Sequence, residues 1–284
     1  MRQARLWRTR NPRTFREKVQ YKMLRDHRRL VVTFADKAAV RDYVARVIGR
    51  QYLPRALAIV DDPSALFDLA LPDGYVVKPT HGSGAVIVVS DHASATARLR
   101  SGPDGWSYQH VRPEFAPRAD VVQIAQGWLG QLYGQGPNRE WVYGRVPRRV
   151  LVEELLSAPD GTIPADYKLF VFHGRCAYIQ VDADRFGHRT QDFFRPDWQH
   201  VPLSGGPPWA CPRPEKPAAL AEMIDVAQRL GADTDFVRVD LYCIDGRVVF
   251  GELTSFPAGG DSPFDPEYFN EEFGSHWTVP RRYR

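Results

Sequence analysis

Two carboxylates near the C-terminal end of the chain have types and a spacing that could do chemistry. Asp240 and Glu252 lie on either side of Asp245-Gly246, a dipeptide that favours a two-residue hairpin turn. Counting outward from the turn places the carboxylates within one residue of opposite each other, about 5 Å apart. Like charges at that distance favour a cation between them, and oxygen ligands suit Mg²⁺. The alternative is that one carboxylate faces solvent and pairs with an arginine such as Arg238.

A lysine followed by a glycine-rich loop is a second candidate. Lys78 ends a short apolar stretch, and His81-Gly82-Ser83-Gly84 precedes the next one. Such a loop exposes backbone N–H groups, and these bind phosphate. The segment lacks the Gly-x₄-Gly-Lys order of a P-loop, and no helix follows it. A phosphate-binding hairpin loop and an ordinary tight turn are therefore the two interpretations.

Two further segments place charged groups at strand ends. The stretch Val152-Glu153-Glu154-Leu155-Leu156 can form an adenine slot, in which a carboxylate accepts a hydrogen bond from the purine amine. Asp166-Tyr167-Lys168 begins a strand and could bring its lysine to a phosphate. The alternatives are an ordinary buried strand for the first and a surface ion pair of little energetic weight for the second.

A charged run between residues 180 and 190 could bind an amino acid. Asp182 and Asp184 could accept an ammonium group, and Arg185 could bind a carboxylate through two parallel hydrogen bonds. The alternative is a hairpin tip that is closed by its own ion pairs.

The elements that must position these residues are predicted from local patterns. We expect helices at 14–24, 36–48, 120–133 and 217–230, and strands at 57–60, 75–78, 85–90, 150–156, 168–172, 176–181, near 193, 236–244 and 247–253. Thr14 and Glu17 form a capping box at the start of the first helix. Because the helices are segregated from mostly antiparallel hairpins, the predicted fold class is α+β.

Composition and charge limit the possible functions. The 284 residues are 43% hydrophobic, which excludes disorder for most of the chain, and apolar runs fall far short of the roughly 20 residues of a membrane span. Cys176, Cys211 and Cys243 lack metal-ligand spacing, and no signal peptide precedes them, so we expect a cytoplasmic protein. Residues 1–29 hold eleven basic residues against two acidic ones. This segment either binds an acidic polymer or is a solvated helix face.

Taken in order, the motifs resemble the ATP-grasp superfamily and, within it, the TupA-like ATP-grasp family, which is named for teichuronopeptide biosynthesis. The segments that carry the resemblance are Pro12-x-Thr14-Phe15-x-Glu17-Lys18-Val19-Gln20, Asp36-Lys37-x-x-Val40-Arg41-x-Tyr43-Val44, Lys78 to Gly84, Leu151-Val152-Glu153-Glu154, Asp166-Tyr167-Lys168, Gln180-Val181-Asp182-x-Asp184-Arg185-Phe186-Gly187, Val237-Arg238-Val239-Asp240-Leu241 and Gly251-Glu252-Leu253-Thr254.

The resemblance implies a three-lobed ATP-grasp fold with antiparallel sheets flanked by helices. Its lobes would be a basic helical lobe at 1–70, a central lobe with the glycine loop at 71–150, and a lobe with the adenine hinge and metal hairpin at 151–284. It implies ATP binding by Lys78, Gly82, Ser83, Gly84, Glu153, Glu154, Leu155, Leu156 and Lys168, a magnesium site of Asp240, Glu252 and Thr254, substrate binding by Asp182, Asp184 and Arg185, and catalysis by Arg238, Lys168 and Lys78. Thr254 stands where many ATP-grasp ligases have asparagine, so the resemblance leaves open whether one or two metal ions bind.

The activity that the resemblance implies is an ATP- and Mg-dependent carboxylate–amine ligase. It would join an amino acid to another amino acid, a peptide or an acidic sugar or polysaccharide through an acyl phosphate. Two other classes stay open, namely a glycosyl- or phosphoryl-transfer enzyme of surface polysaccharide biosynthesis and a basic binding module for an acidic polymer. Nucleic acid is not an expected partner.

Overall fold

The structure is a computed structural model that describes residues 11–134, 140–184 and 187–284. The α-helices are α1 (Phe15–Arg25), α2 (Arg29–Ala35), α3 (Ala39–Val47), α4 (Arg118–Gly130), α5 (Leu220–Leu230) and α6 (Tyr268–Ser275). The strands are β1 (Ala56–Val60), β2 (Tyr75–Pro79), β3 (Val86–Val89), β4 (Tyr108–Val111), β5 (Val150–Glu154), β6 (Asp166–Phe172), β7 (Arg175–Ala183), β8 (Thr190–Phe194), β9 (His200–Val201), β10 (Phe236–Ile244) and β11 (Arg247–Thr254).

The first sheet has five strands in the order β1-β5-β2-β3-β4. Its neighbours are antiparallel except for the parallel pair β3–β4. Helix α4 contributes Ile124 and Trp128 to a core that also contains Val77 and Ile87 of the sheet. In this sheet β1, from the expected N-terminal lobe, pairs with β5, at the start of the expected C-terminal lobe. The limits of the three lobes stay a prediction.

The second sheet has six antiparallel strands in the order β11-β10-β6-β7-β8-β9. Alternation along β10 divides its side chains between two faces. Val237, Val239 and Leu241 are buried in the same core as Met223 and Val226 of α5. The opposite face carries Phe236 in an aromatic cluster and then, further along the strand, the polar residues of the cavity described below.

The α+β class with antiparallel sheets is confirmed, and most of the helices and strands lie where the sequence predicts them. The capping box is present, because Thr14 accepts from the Glu17 amide and the Glu17 carboxylate accepts from the Thr14 amide. Helix α2 has no counterpart among the predicted elements, and its Val31, Val32 and Thr33 are β-branched residues of the types that favour strands. It forms nonetheless, with Val31 and Phe34 buried against the core.

The basic N-terminal segment packs on the body wherever the structure describes it. Phe15 and Val19 of α1 are buried, and Lys22 is fully buried between Asp26 and Asp235, at 2.6 and 2.5 Å. Residues 1–10, with Arg2, Arg5, Arg8 and Arg10, lie outside the described residues. In the described part of the chain, no helix has the length and apolar character needed to cross a membrane.

Candidate active site

The β10–β11 hairpin places Asp240 directly opposite Glu252, which confirms the register expected from the sequence to within one residue. Beyond the turn, Leu241 pairs with Phe250, so Gly251 is an extra residue that forms a β-bulge. A Cβ on Gly251 would lie 3.0 Å from the carbonyl oxygen of Asp240. The bulge therefore fits a glycine closely and brings the second carboxylate into register with the first.

Asp240 is buried and is held by two cations of the chain. Arg238 donates from Nε and Nη2 to its two oxygens, both at 2.7 Å, and Lys168 donates at 2.9 Å. Burial by itself raises the pKa of Asp240, but Arg238 and Lys168 outweigh it and lower this pKa. Asp166 is a second partner of Lys168. Asp240 therefore pairs with Arg238, as the alternative interpretation expects, but the pair lies inside the protein and does not face solvent.

Glu252 is more open than Asp240, with 29% of its side chain exposed. Its nearest cations are Lys37, at 3.5 Å, and Arg238, at 4.0 Å. Thr254 lies opposite Arg238 in the ladder, and its hydroxyl accepts a hydrogen bond from Arg238 at 3.0 Å. One arginine therefore spans all three residues of the expected metal site.

Lys37, between α2 and α3, is a site residue to which no local pattern assigned a role. Its ammonium donates to the Gly82 carbonyl at 2.5 Å, in addition to facing Glu252, and its backbone N–H donates to the carbonyl of Thr80. Burial lowers the pKa of Lys37, which Glu252 offsets in part. The N-terminal helical segment thus contacts both the glycine loop and the carboxylate hairpin.

Glu153 forms a bridge between Lys78 and Arg41. Its Oε2 is 2.5 Å from the Lys78 ammonium, and its Oε1 is 2.6 Å from the guanidinium of Arg41 in α3. Lys78 and Glu153 lie on the adjacent strands β2 and β5, offset diagonally by two residues on one face. Both oxygens of the expected adenine-binding carboxylate are therefore occupied by cations. Arg41 is the second site residue that the local patterns did not single out.

One cavity of about 440 Å³ brings together the predicted residues of both sheets. The lining residues that the sequence singled out are Lys78, Ser83, Gly84, Glu153, Glu154, Leu155, Leu156, Lys168, Asp182, Asp184, Arg238, Asp240 and Glu252. The side chain of Glu154 accepts a hydrogen bond from the backbone N–H of Arg55 at 2.8 Å. Gly82 and Thr254 do not line the cavity but neighbour residues that do.

Asp182 and Asp184, the carboxylates expected to bind substrate, both accept hydrogen bonds from residues that follow them closely in the chain. Asp182 accepts from Gln191 at 2.8 Å and from Arg189 at 3.2 Å, and Asp184 accepts from the amide of His188 at 2.7 Å. The Arg189 pair is the kind that the alternative expects, a tip closed by its own ion pairs, but Asp182 also lies 3.9 Å from the ammonium of Lys168 on β6. Arg185 lies outside the described residues.

Glu140 is a further carboxylate that the sequence patterns did not indicate. Burial, together with the charge of Glu252, raises the pKa of Glu140 to about 7. The same two carboxylates also raise the pKa of Tyr143, although burial of its ring has the larger effect. A pKa near 7 keeps Glu140 partly protonated at neutral pH, which limits the negative charge beside Glu252, whose nearest cations are Lys37 and Arg238.

The glycine loop, three lysines and the opposed carboxylates meet at one cavity, the arrangement that the resemblance to the ATP-grasp superfamily implies. Residues 118–278, more than half of the chain, match the family model described as TupA-like ATPgrasp. The chain therefore belongs to the TupA-like ATP-grasp family, as its motifs predict.

Comparisons with individual proteins add distant similarities. No curated protein is similar in sequence. Similar solved structures include the ATP-grasp ligase PsnB complexed with minimal precursor, Mg and ADP (12% identity, 82% of this chain and 53% of that chain, TM-score 0.41), D-alanine–D-alanine ligase from Bacillus anthracis complexed with ATP (13%, 80% and 55%, 0.42) and L-amino acid ligase from Bacillus licheniformis (14%, 84% and 46%, 0.46). The chain spans about half the length of these proteins.

Proposed function

We propose that the protein is an ATP- and Mg-dependent carboxylate–amine ligase. The observation that carries the proposal is the meeting, in one cavity, of three lysines from separate segments with the opposed carboxylates Asp240 and Glu252. Lys37, Lys78 and Lys168 offer the positive charge that a polyphosphate needs. Membership of the TupA-like ATP-grasp family supports the same class of reaction.

In the proposed reaction, a substrate carboxylate oxygen attacks the γ-phosphorus of ATP. An oxygen–phosphorus bond forms, the bond from that phosphorus to the β-phosphate oxygen breaks, and ADP leaves. The amine nitrogen then attacks the acyl carbon, a carbon–nitrogen bond forms, phosphate leaves, and the nitrogen loses a proton. Because no side chain forms a covalent intermediate, the protein acts by positioning and by neutralising charge.

The residues that would contact ATP have proposed roles in that scheme. Lys78 and Lys168 bind phosphate oxygens, together with Lys37 and the backbone of the loop Gly82-Ser83-Gly84. Leu155 and Leu156 line the adenine slot beside Glu153 and Glu154. Arg238 neutralises the transferred phosphoryl group and the acyl phosphate, and it is placed for this by its contact with Asp240.

The donor set fits a magnesium ion that nucleotide phosphates also bind. Magnesium sites of this kind use one or two protein carboxylates, and phosphates and water supply the other oxygens. Asp240 and Glu252 are such a pair, and Thr254 adds a hydroxyl two residues further on. Among residues 11–134, 140–184 and 187–284, no group of three or more His, Cys, Asp or Glu forms a metal cage. When bound, the ion would neutralise charge on the phosphoryl group.

The two substrates are proposed as classes. One is the carboxylate of an amino acid, and the other is the amine of an amino acid, a peptide or an amino-bearing acidic sugar or polysaccharide. The basic segment at 1–29 supports an acidic acceptor, because exposed basic residues attract polyanions. The Arg13, Arg25 and Arg29 side chains of its described part are exposed.

Measurement of ADP release tests the proposal. The enzyme is incubated with MgATP and pairs of amino acids, peptides and acidic sugars, and the products are analysed by mass spectrometry. We expect ADP only with a competent pair, and a product whose mass equals the sum of the two substrates less one water. Consumption of a sugar nucleotide without any ADP would favour the glycosyl-transfer alternative and would contradict the ligase proposal.

A further inference from the structure

The glycine-rich loop is held by two aromatic rings that lie outside the cavity lining. Trp106, just before β4, donates its indole N–H to the Ser83 carbonyl at 2.8 Å. Tyr133 stacks on the Trp106 ring, with the centroids 5.3 Å apart and the planes 17° from parallel. Neither ring lines the cavity, whereas Ser83 and Gly84 do. The loop therefore has the cavity on one side and an aromatic support on the other.

The support is in close contact with the main chain of the loop. A Cβ on Gly82 would lie 2.6 Å from Cζ2 of Trp106 and 2.7 Å from Cγ of Tyr133. Gly82 also has a φ of +81°, which disfavours any side chain. The two rings thus fix the loop at a distance that only glycine permits.

The hydrogen bond from Trp106 decides where a neighbouring amide points. In a trans peptide, the carbonyl and the N–H of the next residue point in opposite directions. Because the Ser83 carbonyl points to Trp106, the N–H of Gly84 points away from the support and toward the side where Gly84 meets the cavity. Within the described part of the chain, this N–H donates to no backbone carbonyl.

Lys37 makes a similar contact with the preceding peptide, between Gly82 and Ser83. Lys37 binds the Gly82 carbonyl at 2.5 Å, so the N–H of Ser83 points away from Lys37. In the described ranges the Ser83 amide donates to no backbone carbonyl either. The Trp106 contact therefore turns the Gly84 N–H toward the cavity, whereas the Lys37 contact turns the Ser83 N–H away from a lysine that lines the cavity.

We propose that Trp106, held by Tyr133, is a positioning residue of the phosphate site, which orients the Gly84 amide toward the terminal phosphate of a bound nucleotide. This inference rests on the proposed function. Without the indole N–H, the peptide between Ser83 and Gly84 is free to rotate, and a phosphate oxygen loses an aligned donor. The loss of affinity should be larger for a triphosphate than for a monophosphate, because the proposed adenine slot is formed by the end of β5 with Leu155 and Leu156 after it, and not by this loop.

The test compares two nucleotides in W106F, which keeps an aromatic ring and removes the N–H donor. Calorimetry gives the Kd of a magnesium complex of a non-hydrolysable ATP analogue and the Kd of AMP. We expect the variant to bind the triphosphate about 10-fold more weakly, the order of a hydrogen bond to a charged group, and AMP within about twofold of wild type. W209F is the matched control, because Trp209 also donates its indole N–H to a backbone carbonyl, that of Leu203, outside the cavity.

Two outcomes with the variant would overturn the inference. One is an unchanged Kd for the triphosphate, and the other is an equal loss of affinity for triphosphate and AMP, which is the signature of a merely structural tryptophan. If wild type binds neither nucleotide, the proposed function fails and this inference fails with it. If W106F does not fold, replacing Trp106 by benzothienylalanine keeps the shape of the ring, removes the N–H and must give the same selective loss.

Discussion

Asp240 and Glu252 face each other across the β10–β11 ladder because one extra residue, Gly251, shifts the register beyond the turn. In a regular hairpin Asp240 would lie opposite Gly251, and the Glu252 side chain would lie on the other face of the sheet. The bulge therefore places the two carboxylates directly opposite each other, where a regular hairpin would have offset them by one residue. Their surroundings still differ, since Asp240 is buried between two cations and Glu252 is partly exposed to the cavity.

This difference predicts opposite stability effects for substitutions that both remove activity. Asp240→Asn and Glu252→Gln should each lower the rate of ADP formation by about 100-fold or more, the scale for loss of one group that stabilises transferred charge. Asp240→Asn should also destabilise the nucleotide-free protein by about 3–5 kcal/mol, because Arg238 and Lys168 lose a buried partner. Glu252→Gln should leave the melting temperature almost unchanged.

Differential scanning calorimetry and an ADP assay on the same preparations check both parts. Wild-type turnover in both variants would contradict the metal assignment. Equal melting temperatures of the two variants would contradict the argument that Asp240 is stabilised by buried ion pairs, and would leave the metal assignment standing.

Lys78→Ala should weaken the binding of a non-hydrolysable ATP analogue by about 1.5–3 kcal/mol, because a hydrogen bond to a charged phosphate is lost. Isothermal calorimetry measures this loss directly. Arg55→Ala is the control, since that side chain is exposed just before β1 and does not line the cavity. An unchanged dissociation constant for the lysine variant would make Lys78 an ordinary strand residue.

Arg41→Met should raise the KM for ATP several-fold while kcat stays close to wild type. Arg41 shares Glu153 with Lys78, so its removal leaves that carboxylate to bind the Lys78 ammonium alone and to compete with phosphate for it. Glu153→Gln in the same chain should restore the KM in large part, because the competing charge is gone. Steady-state kinetics at several ATP concentrations test this, and a fall in kcat at unchanged KM would disprove the idea.

Features that depend only on residues close together in the chain can be predicted from the sequence. The capping box of Thr14 and Glu17, the Asp245-Gly246 turn and the opposed carboxylates each rest on a few adjacent residues, and each is present in the structure. Lys37 and Arg41 could not be assigned in this way. Their partners Glu252 and Glu153 are more than one hundred residues away, and only the packing of α3 against the sheets brings them together.

The ion pairs of Glu153 cannot be predicted from the sequence for a related reason. A carboxylate at the end of an apolar strand is compatible with a ligand contact and with an ion pair, and only tertiary structure supplies the cations. The bulge at Gly251 has the same origin, since glycine after an alternating strand marks a place for a bulge but does not require one.

The last prediction concerns the pH dependence of stability at the buried cluster of α1. Lys22 lies 2.6 Å from Asp26, both side chains are fully buried, and Arg28 also binds Asp26. Burial raises the pKa of Asp26, but the bonds to Arg28 and Lys22 outweigh it and hold this pKa below its ordinary value of 3.8. A carboxyl whose pKa is lowered by folding stabilises the protein above its unfolded-state pKa, and this contribution is lost as the pH falls toward the folded-state value.

Asp26→Asn should therefore lower the free energy of unfolding by about 3–5 kcal/mol at pH 7, the scale for a broken buried ion pair. The difference from wild type should persist down to about pH 4, near the ordinary aspartate pKa, and should shrink below it as wild type also becomes protonated. Urea unfolding at pH 7, 5, 4 and 3 measures it. Asp225→Asn is the control, because Asp225 and Arg229 form an exposed pair at 3.6 Å that should contribute about 0.5 kcal/mol or less. A difference between Asp26→Asn and wild type that stayed constant from pH 7 to pH 3 would mean that the carboxylate charge is not what stabilises this cluster.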